Sequence, residues 1–148
     1  MAPSEITLEA VPSISAIPAE EWDACASPGA ASCNSSRGGV ASANGSPIAS
    51  AADSSDPSRP YHNPFVSHAF LAAAEASGSA CERTGWRPRH LAAKQDGAVL
   101  GVVPCYLKSH SQGEYVFDRG WADAYQRAGG SYYPKLQVSV PFTPATGP

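Results

Sequence analysis

Nowhere do the 148 residues sustain the roughly 20 consecutive apolar positions that a membrane-spanning helix requires. The first residues carry Glu5 and Glu9 and no apolar run, so no secretory leader is read there either. Charge is sparse and nearly balanced. Ten Lys and Arg against 13 Asp and Glu leave a formal −3, which gives no reason to expect nucleic acid as a partner. Cys25, Cys33, Cys81 and Cys105 show no CxxC and no Cys/His spacing, which argues against a disulfide scaffold and against a zinc site. No metal is expected. A reducing, cytoplasmic setting is the default expectation. Aromatic residues are missing from the first 60 positions except for Trp22, so most of the core is expected after them.

Residues 27–60 are the poorest stretch. They hold 10 Ser, 7 Ala, 4 Gly and 4 Pro, with Val40 and Ile48 as the only large aliphatics. Such a segment cannot bury enough side chain to offset the entropy of ordering it. It is expected to be a disordered low-complexity insertion, with 1–26 supplying the first strand and helix of the domain and 61–148 its main part. The last residues, Pro144-Ala145-Thr146-Gly147-Pro148, bring no closing helix, and the domain is expected to be incomplete.

What is there alternates between two periods. Glu5 to Val11 suits a strand, and Pro18 opens a helix that turns Trp22 and Ala26 inward. Asn63-Pro64 is a cap followed by a first helical residue, with Phe65, Ala69 and Ala73 as one stripe and Gly78 as the stop. Arg87 to Lys94, Gln95-Asp96-Gly97 and Ala98 to Leu107 read as a hairpin, since Asp-Gly suits a turn needing positive φ. Pro104 lacks a ladder donor, so the strand there is an edge, is bulged or changes partners. Tyr115 to Phe117 reads as a strand fragment. Asp118 then caps a helix whose Trp121, Tyr125 and Ala128 are spaced as a buried stripe. Leu136, Val138 and Val140 alternate as a last strand. Interleaved strands and helices predict an α/β (α+β) fold, with a mixed, mostly antiparallel sheet flanked by helices.

The densest chemistry lies in Tyr106 to Asp118, where Lys108, Ser109, His110, Ser111, Gln112 and Glu114 fall within seven residues after an apolar strand. Loops at strand ends are where a rigid scaffold carries function. This stretch is also part of a resemblance. Asn63-Pro64-Phe65-Val66-Ser67-His68-Ala69-Phe70-Leu71, Gly85-Trp86-Arg87-Pro88-Arg89-His90-Leu91, Tyr106-Leu107-Lys108-Ser109-His110-Ser111, Gly113-Glu114-Tyr115-Val116-Phe117-Asp118, Trp121-Ala122-Asp123-Ala124-Tyr125 and Tyr132-Tyr133-Pro134-Lys135-Leu136 occur in this order. Together they resemble the N-terminal part of the bacterial peptidoglycan biosynthesis/recognition proteins, described as N-acetyltransferase-like and FemAB-like. The match covers nearly everything outside 27–60. Arg119-Gly120 departs from it, standing where an apolar pair is expected.

The resemblance implies a partial acyl-CoA N-acyltransferase-like fold and a longer full-length protein with a C-terminal domain. It implies transfer of an acyl or amino-acyl group to an amine, on a small-molecule or peptide acceptor such as a cell-wall precursor. Acetyl-CoA or another acyl donor would serve the full-length protein. No cofactor is expected in 1–148, which lacks a Gly-rich strand-to-helix turn to hold a pyrophosphate. The alternatives are a non-catalytic recognition module and a truncated protein without its own activity.

Within that frame His110 is the candidate general base, because an imidazole titrates near neutrality. Glu114 either orients His110 or takes the role itself. Lys108 and Lys135 are candidates to pair with an acceptor carboxylate or phosphate, and Tyr132 and Tyr133 to line its pocket. The bland readings are a loop-bonding histidine, solvated lysines and a strand lead-in packed on the core. A serine nucleophile lacks its third partner and its Gly-x-Ser-x-Gly elbow.

Overall fold

A computed structural model describes residues 5–26, 63–114 and 117–143. The expected insertion at 27–60, Cys33, Tyr115, Val116 and the final residues 144–148 lie outside the described residues.

Among the described residues six strands and three α-helices follow in order: β1 (Ile6–Val11), α1 (Ala19–Ala26), α2 (His68–Ala76), β2 (Trp86–Pro88), β3 (His90–Gln95), β4 (Ala98–Val103), β5 (Cys105–Lys108), α3 (Arg119–Arg127) and β6 (Lys135–Val138). Short 3₁₀ turns stand at Ile14–Ala16, Pro64–Val66 and Glu82–Thr84. The fold is α/β, with antiparallel sheet flanked by helices.

The sheet is in two halves, ordered β1-β3-β4 and β2-β5-β6, and every pairing is antiparallel. A single bent hairpin runs through both. Its tip is Asp96-Gly97, both at positive φ, the geometry that fits the twist of two antiparallel strands. Its two arms break close to one another, at Arg89 just after Pro88 and at Pro104, and neither proline can donate to a ladder. The Arg89 N–H still bridges to the Cys105 carbonyl at 2.8 Å, so the arms stay paired through the bend. Beyond the bend the third strand changes sides: β1 joins β3, and β6 joins β5. The arm broken at Pro104 is thus an edge as β4 and gains β6 as a second partner as β5.

Asn63 caps the 3₁₀ turn through the Phe65 N–H, as expected of it, but the helix does not continue from there. Ser67 caps α2 anew through the Phe70 N–H. That restart breaks the phase of the stripe expected at Phe65, Ala69 and Ala73. Val66, expected beside that stripe, and Leu71 are the buried residues.

One core gathers Val11, Ile14, Ile17, Trp22, Leu71 and Ala92. A smaller one joins Ala80, Trp86 and Tyr106. Between them stands His90, buried, with its ring edge-on to Trp22 and to Tyr106. Its Nδ1 accepts the Cys105 N–H at 3.2 Å, so Nε2 carries the proton and donates to Glu75 Oε1 at 2.8 Å. Glu75 also accepts from Ser13 Oγ at 2.8 Å and from the Ile14 N–H at 3.1 Å. This knot ties α2 to the turn after β1 and to the bend of the hairpin. Burial alone would raise the Glu75 carboxyl; the hydrogen bonds from His90, Ser13 and Ile14 outweigh it and hold the group below its ordinary value.

Candidate functional site

At the far end of β5 the chain leaves the sheet, and side chains from three segments converge. Lys108, the last residue of β5, is fully buried. Its Nζ lies 3.6 Å from the centre of a Trp86 ring, donates to the Gln112 carbonyl at 3.0 Å, and stands 3.8 Å from Glu114 Oε1. Glu114 turns its other oxygen to Lys135, 2.7 Å away. Lys135, the first residue of β6, sits opposite Lys108 in the β5–β6 register and also pairs with Asp118. Asp118 in turn accepts from Tyr132 at 2.8 Å, from Tyr133 at 3.2 Å and from Ser111. The result is an alternating chain of charge, Lys108–Glu114–Lys135–Asp118, edged by two phenols and a serine.

The charges set one another. Burial is the main influence on Lys108 and pushes its ammonium down to about 8; Lys135 adds to this, while Glu114 and Asp118 oppose it. Burial works against both members of the Lys135–Asp118 pair. Their mutual hydrogen bond, with Glu114 on one side and Ser111 and Tyr132 on the other, outweighs it. Lys135 is therefore held above its ordinary value and Asp118 well below the usual carboxylate range. The bond to Asp118 also raises the Tyr132 phenol.

Lys108, Glu114, Tyr132, Tyr133 and Lys135 are thus brought together, as candidates proposed from sequence. His110 stands apart from them. Its ring packs across Gly85, whose positive φ and missing Cβ make room for it; an added Cβ would come within 2.6 Å of His110 Cε1. Its Nδ1 accepts the Gln112 N–H at 3.2 Å, and among the described residues no hydrogen bond joins it to Glu114.

Sequence reasoning missed Asp118, taken for a helix cap. It occupies the N-cap position of α3, yet its side chain makes no cap hydrogen bond and faces the lysine and tyrosines instead. The signal was the pair of phenols and the lysine downstream, acceptor-hungry groups with no carboxylate of their own.

The helix above the site departs from expectation. Trp121 and Tyr125 are 76% and 54% exposed, Ala128 is exposed, and only Ala122 is buried. Arg119 and Gly120 begin this helix on exposed positions. An arginine and a glycine add no apolar surface there to hold its aromatic face down. Leu136 and Val138 of β6 likewise point outward.

Among the described residues no group of three or more His, Cys, Asp or Glu is placed to hold a metal ion, and no helix is long and apolar enough to cross a membrane. A family model matches residues 13–148; its description is FemAB-like, peptidoglycan biosynthesis/recognition. No curated protein and no solved structure matches the chain.

Proposed function

The chain belongs to the FemAB-like family of peptidoglycan biosynthesis/recognition, and from that premise we propose that the 108–135 cluster receives an amine-bearing acceptor for N-acylation. The observation that carries the reading is Glu114. It is almost wholly buried between two lysines, and its Oε1 has no hydrogen-bond partner among the described residues. A buried carboxylate oxygen left without a donor is costly, by about 1–3 kcal/mol. An ammonium N–H of the acceptor would relieve it.

Glu114 takes one proton from that ammonium, leaving a free amine lone pair. The amine nitrogen bonds to the acyl carbon, the bond to the leaving group breaks with its electron pair, and the second N–H proton departs with that group. Acetyl-CoA or another activated acyl compound supplies the electrophilic carbon. Lys135, the more exposed of the two lysines, meets an acceptor carboxylate or phosphate, while Tyr132 and Tyr133 flank it. Lys108 faces the Glu114 carboxylate from behind, 3.8 Å away. His110 stands at the rim, as the alternative base once its Nδ1 leaves the Gln112 N–H.

The test is kinetic and uses the full-length protein with a screen of acyl donors and amino-acid or peptide acceptors. Glu114→Gln should lower kcat by about 10²-fold, the usual cost of losing a general base, and His110→Ala by less. Lys135→Ala should chiefly raise KM. An unchanged kcat in folded Glu114→Gln removes Glu114 from the reaction. The self-neutralising charge chain also suits a recognition module. Acceptor binding without turnover, whatever the donor, would select that second reading.

A further inference from the structure

Of the five buried side-chain atoms that lack a hydrogen-bond partner among the described residues, two stand in the corner beside Gly113. The Trp86 indole is 1% exposed, and its Nε1–H has no partner among the described residues. Glu114 Oε1, one residue beyond Gly113, is unpartnered too. Lys108 Nζ neighbours both groups, over the face of a Trp86 ring at 3.6 Å from its centre and 3.8 Å from that oxygen. A buried donor and a buried acceptor thus stand near one cation, and among the described residues neither has a hydrogen-bond partner.

What seals the corner is Phe142. Its ring lies 5.3 Å from the Trp86 ring, and a Cβ on Gly113 would come within 2.7 Å of it. Phe142 is nevertheless 53% exposed and held at φ +60°, a conformation unfavourable for a bulky residue. The neighbouring Val140 and Pro141 are buried and anchor the strap on which it sits. A half-exposed ring on a strained backbone position, covering unsatisfied polar atoms, is a cover that costs little to displace.

We propose that the Gly113 corner is a binding subsite for a small neutral group carrying both a hydrogen-bond acceptor and a donor, a primary carboxamide, with Phe142 as its gate. Neutrality follows from the charges already there: Lys108 and Lys135 balance Glu114 and Asp118. A carboxamide oxygen accepts from the Trp86 indole, and its NH₂ donates to one lone pair of Glu114 Oε1, whose other lone pair is left for the acceptor's ammonium. The subsite rests on the reading of this cluster as the acceptor site and specifies one group such an acceptor presents.

Neither of two measurements on the ¹⁵N-labelled full chain depends on acyl transfer, so they stand or fall apart from the catalytic reading. In the first, acetamide, acetate and methylammonium are titrated against the indole N–H signals. Acetamide should move the Trp86 signal saturably, with a midpoint about tenfold lower in Phe142→Gly than in the parent. Acetate should leave it in place, and any response to methylammonium, which meets Glu114 alone, should have the same midpoint in Phe142→Gly as in the parent. An equal response to all three, or none to acetamide, overturns the subsite; equal acetamide midpoints overturn the gate. The second needs no variant. The Trp22 indole is equally buried but donates to the Val66 carbonyl at 2.8 Å. Gate opening should make the Trp86 indole exchange with solvent at least about tenfold faster than Trp22, and equal protection refutes the gate.

Discussion

Replacing Glu75 with alanine strips the acceptor from three donors at once. Ser13 Oγ is near solvent and can turn to water, but the Ile14 N–H and His90 Nε2–H cannot, since Ile14 is 1% exposed and His90 not at all. Each stranded buried donor costs about 1–3 kcal/mol, so the pair predicts a loss of about 4 kcal/mol. That is a large share of the 5–15 kcal/mol that typically holds a domain together. Glu75→Gln keeps one acceptor oxygen but aims an NH₂ at one of the two donors, so about 2 kcal/mol should go. The acid behaviour separates charge from shape. The folded carboxyl is held below its unfolded value, so its stabilisation is present above the unfolded pKa and is lost as pH falls through the folded one. Urea titrations of tryptophan fluorescence at neutral pH and near pH 3 read both effects. The gap between parent and Glu75→Gln should narrow in acid. A Glu75→Ala loss below about 1 kcal/mol, or a gap indifferent to pH, would refute the knot as the joint between the two cores.

Lys108 acts in the same direction, at the alkaline end of the pH scale. Its ammonium is disfavoured in the folded state, so this group alone makes the fold more stable as pH rises from about 8 towards its unfolded value, and Lys108→Met should flatten the slope of stability between pH 8 and 10. Gly85→Ala should cost more than Gly97→Ala: both sit at positive φ, worth about 1–2 kcal/mol for a residue with a Cβ, but only Gly85 faces another side chain, His110. Thermal melts of the two variants, and recovery of the excess in Gly85→Ala/His110→Ala, measure that contact. Trp121→Ser should shift stability by no more than about 0.5 kcal/mol, because its ring is outside; a large loss in calorimetry would mean that α3 is pinned by it.

The local parts of this fold were legible because local rules decide them. Asp96-Gly97 dictates a tight turn, Pro104 forbids an unbroken ladder, and Asn63 offers a cap. What failed was everything that depends on a neighbour's position. The stripe from Phe65 required an uninterrupted helix, and Ser67 restarted it. The stripe of Trp121, Tyr125 and Ala128 has perfect helical spacing, yet spacing says only that residues share a face, not that anything covers it. For the site, composition drew attention to 108–118 because polar types crowd there. It could not say that Lys135, Tyr132 and Tyr133 come to the same point, since β5–β6 pairing brings them there. His110, the natural favourite by pKa, is turned aside by a contact with Gly85 that no local pattern announces.

The hairpin that passes through both half-sheets also fixes an order of assembly. Its arms pair across a two-residue turn, so their contacts form between near neighbours in sequence. β1 must find β3 from the other end of the chain: Ile6 pairs with Gln95, a separation of 89 residues. Closing so long a loop costs on the order of 1.5 kcal/mol more entropy than closing one of a dozen residues. The bent hairpin is therefore the template, and β1 and β6 add to its opposite ends afterwards. A change within it, such as Val102→Ala, should slow folding, whereas Val11→Ala at the end of β1 should mainly speed unfolding. Two strands from distant parts of the chain thus depend on a piece of structure that is complete before either arrives, and a register error in that piece would be passed to both sheets at once.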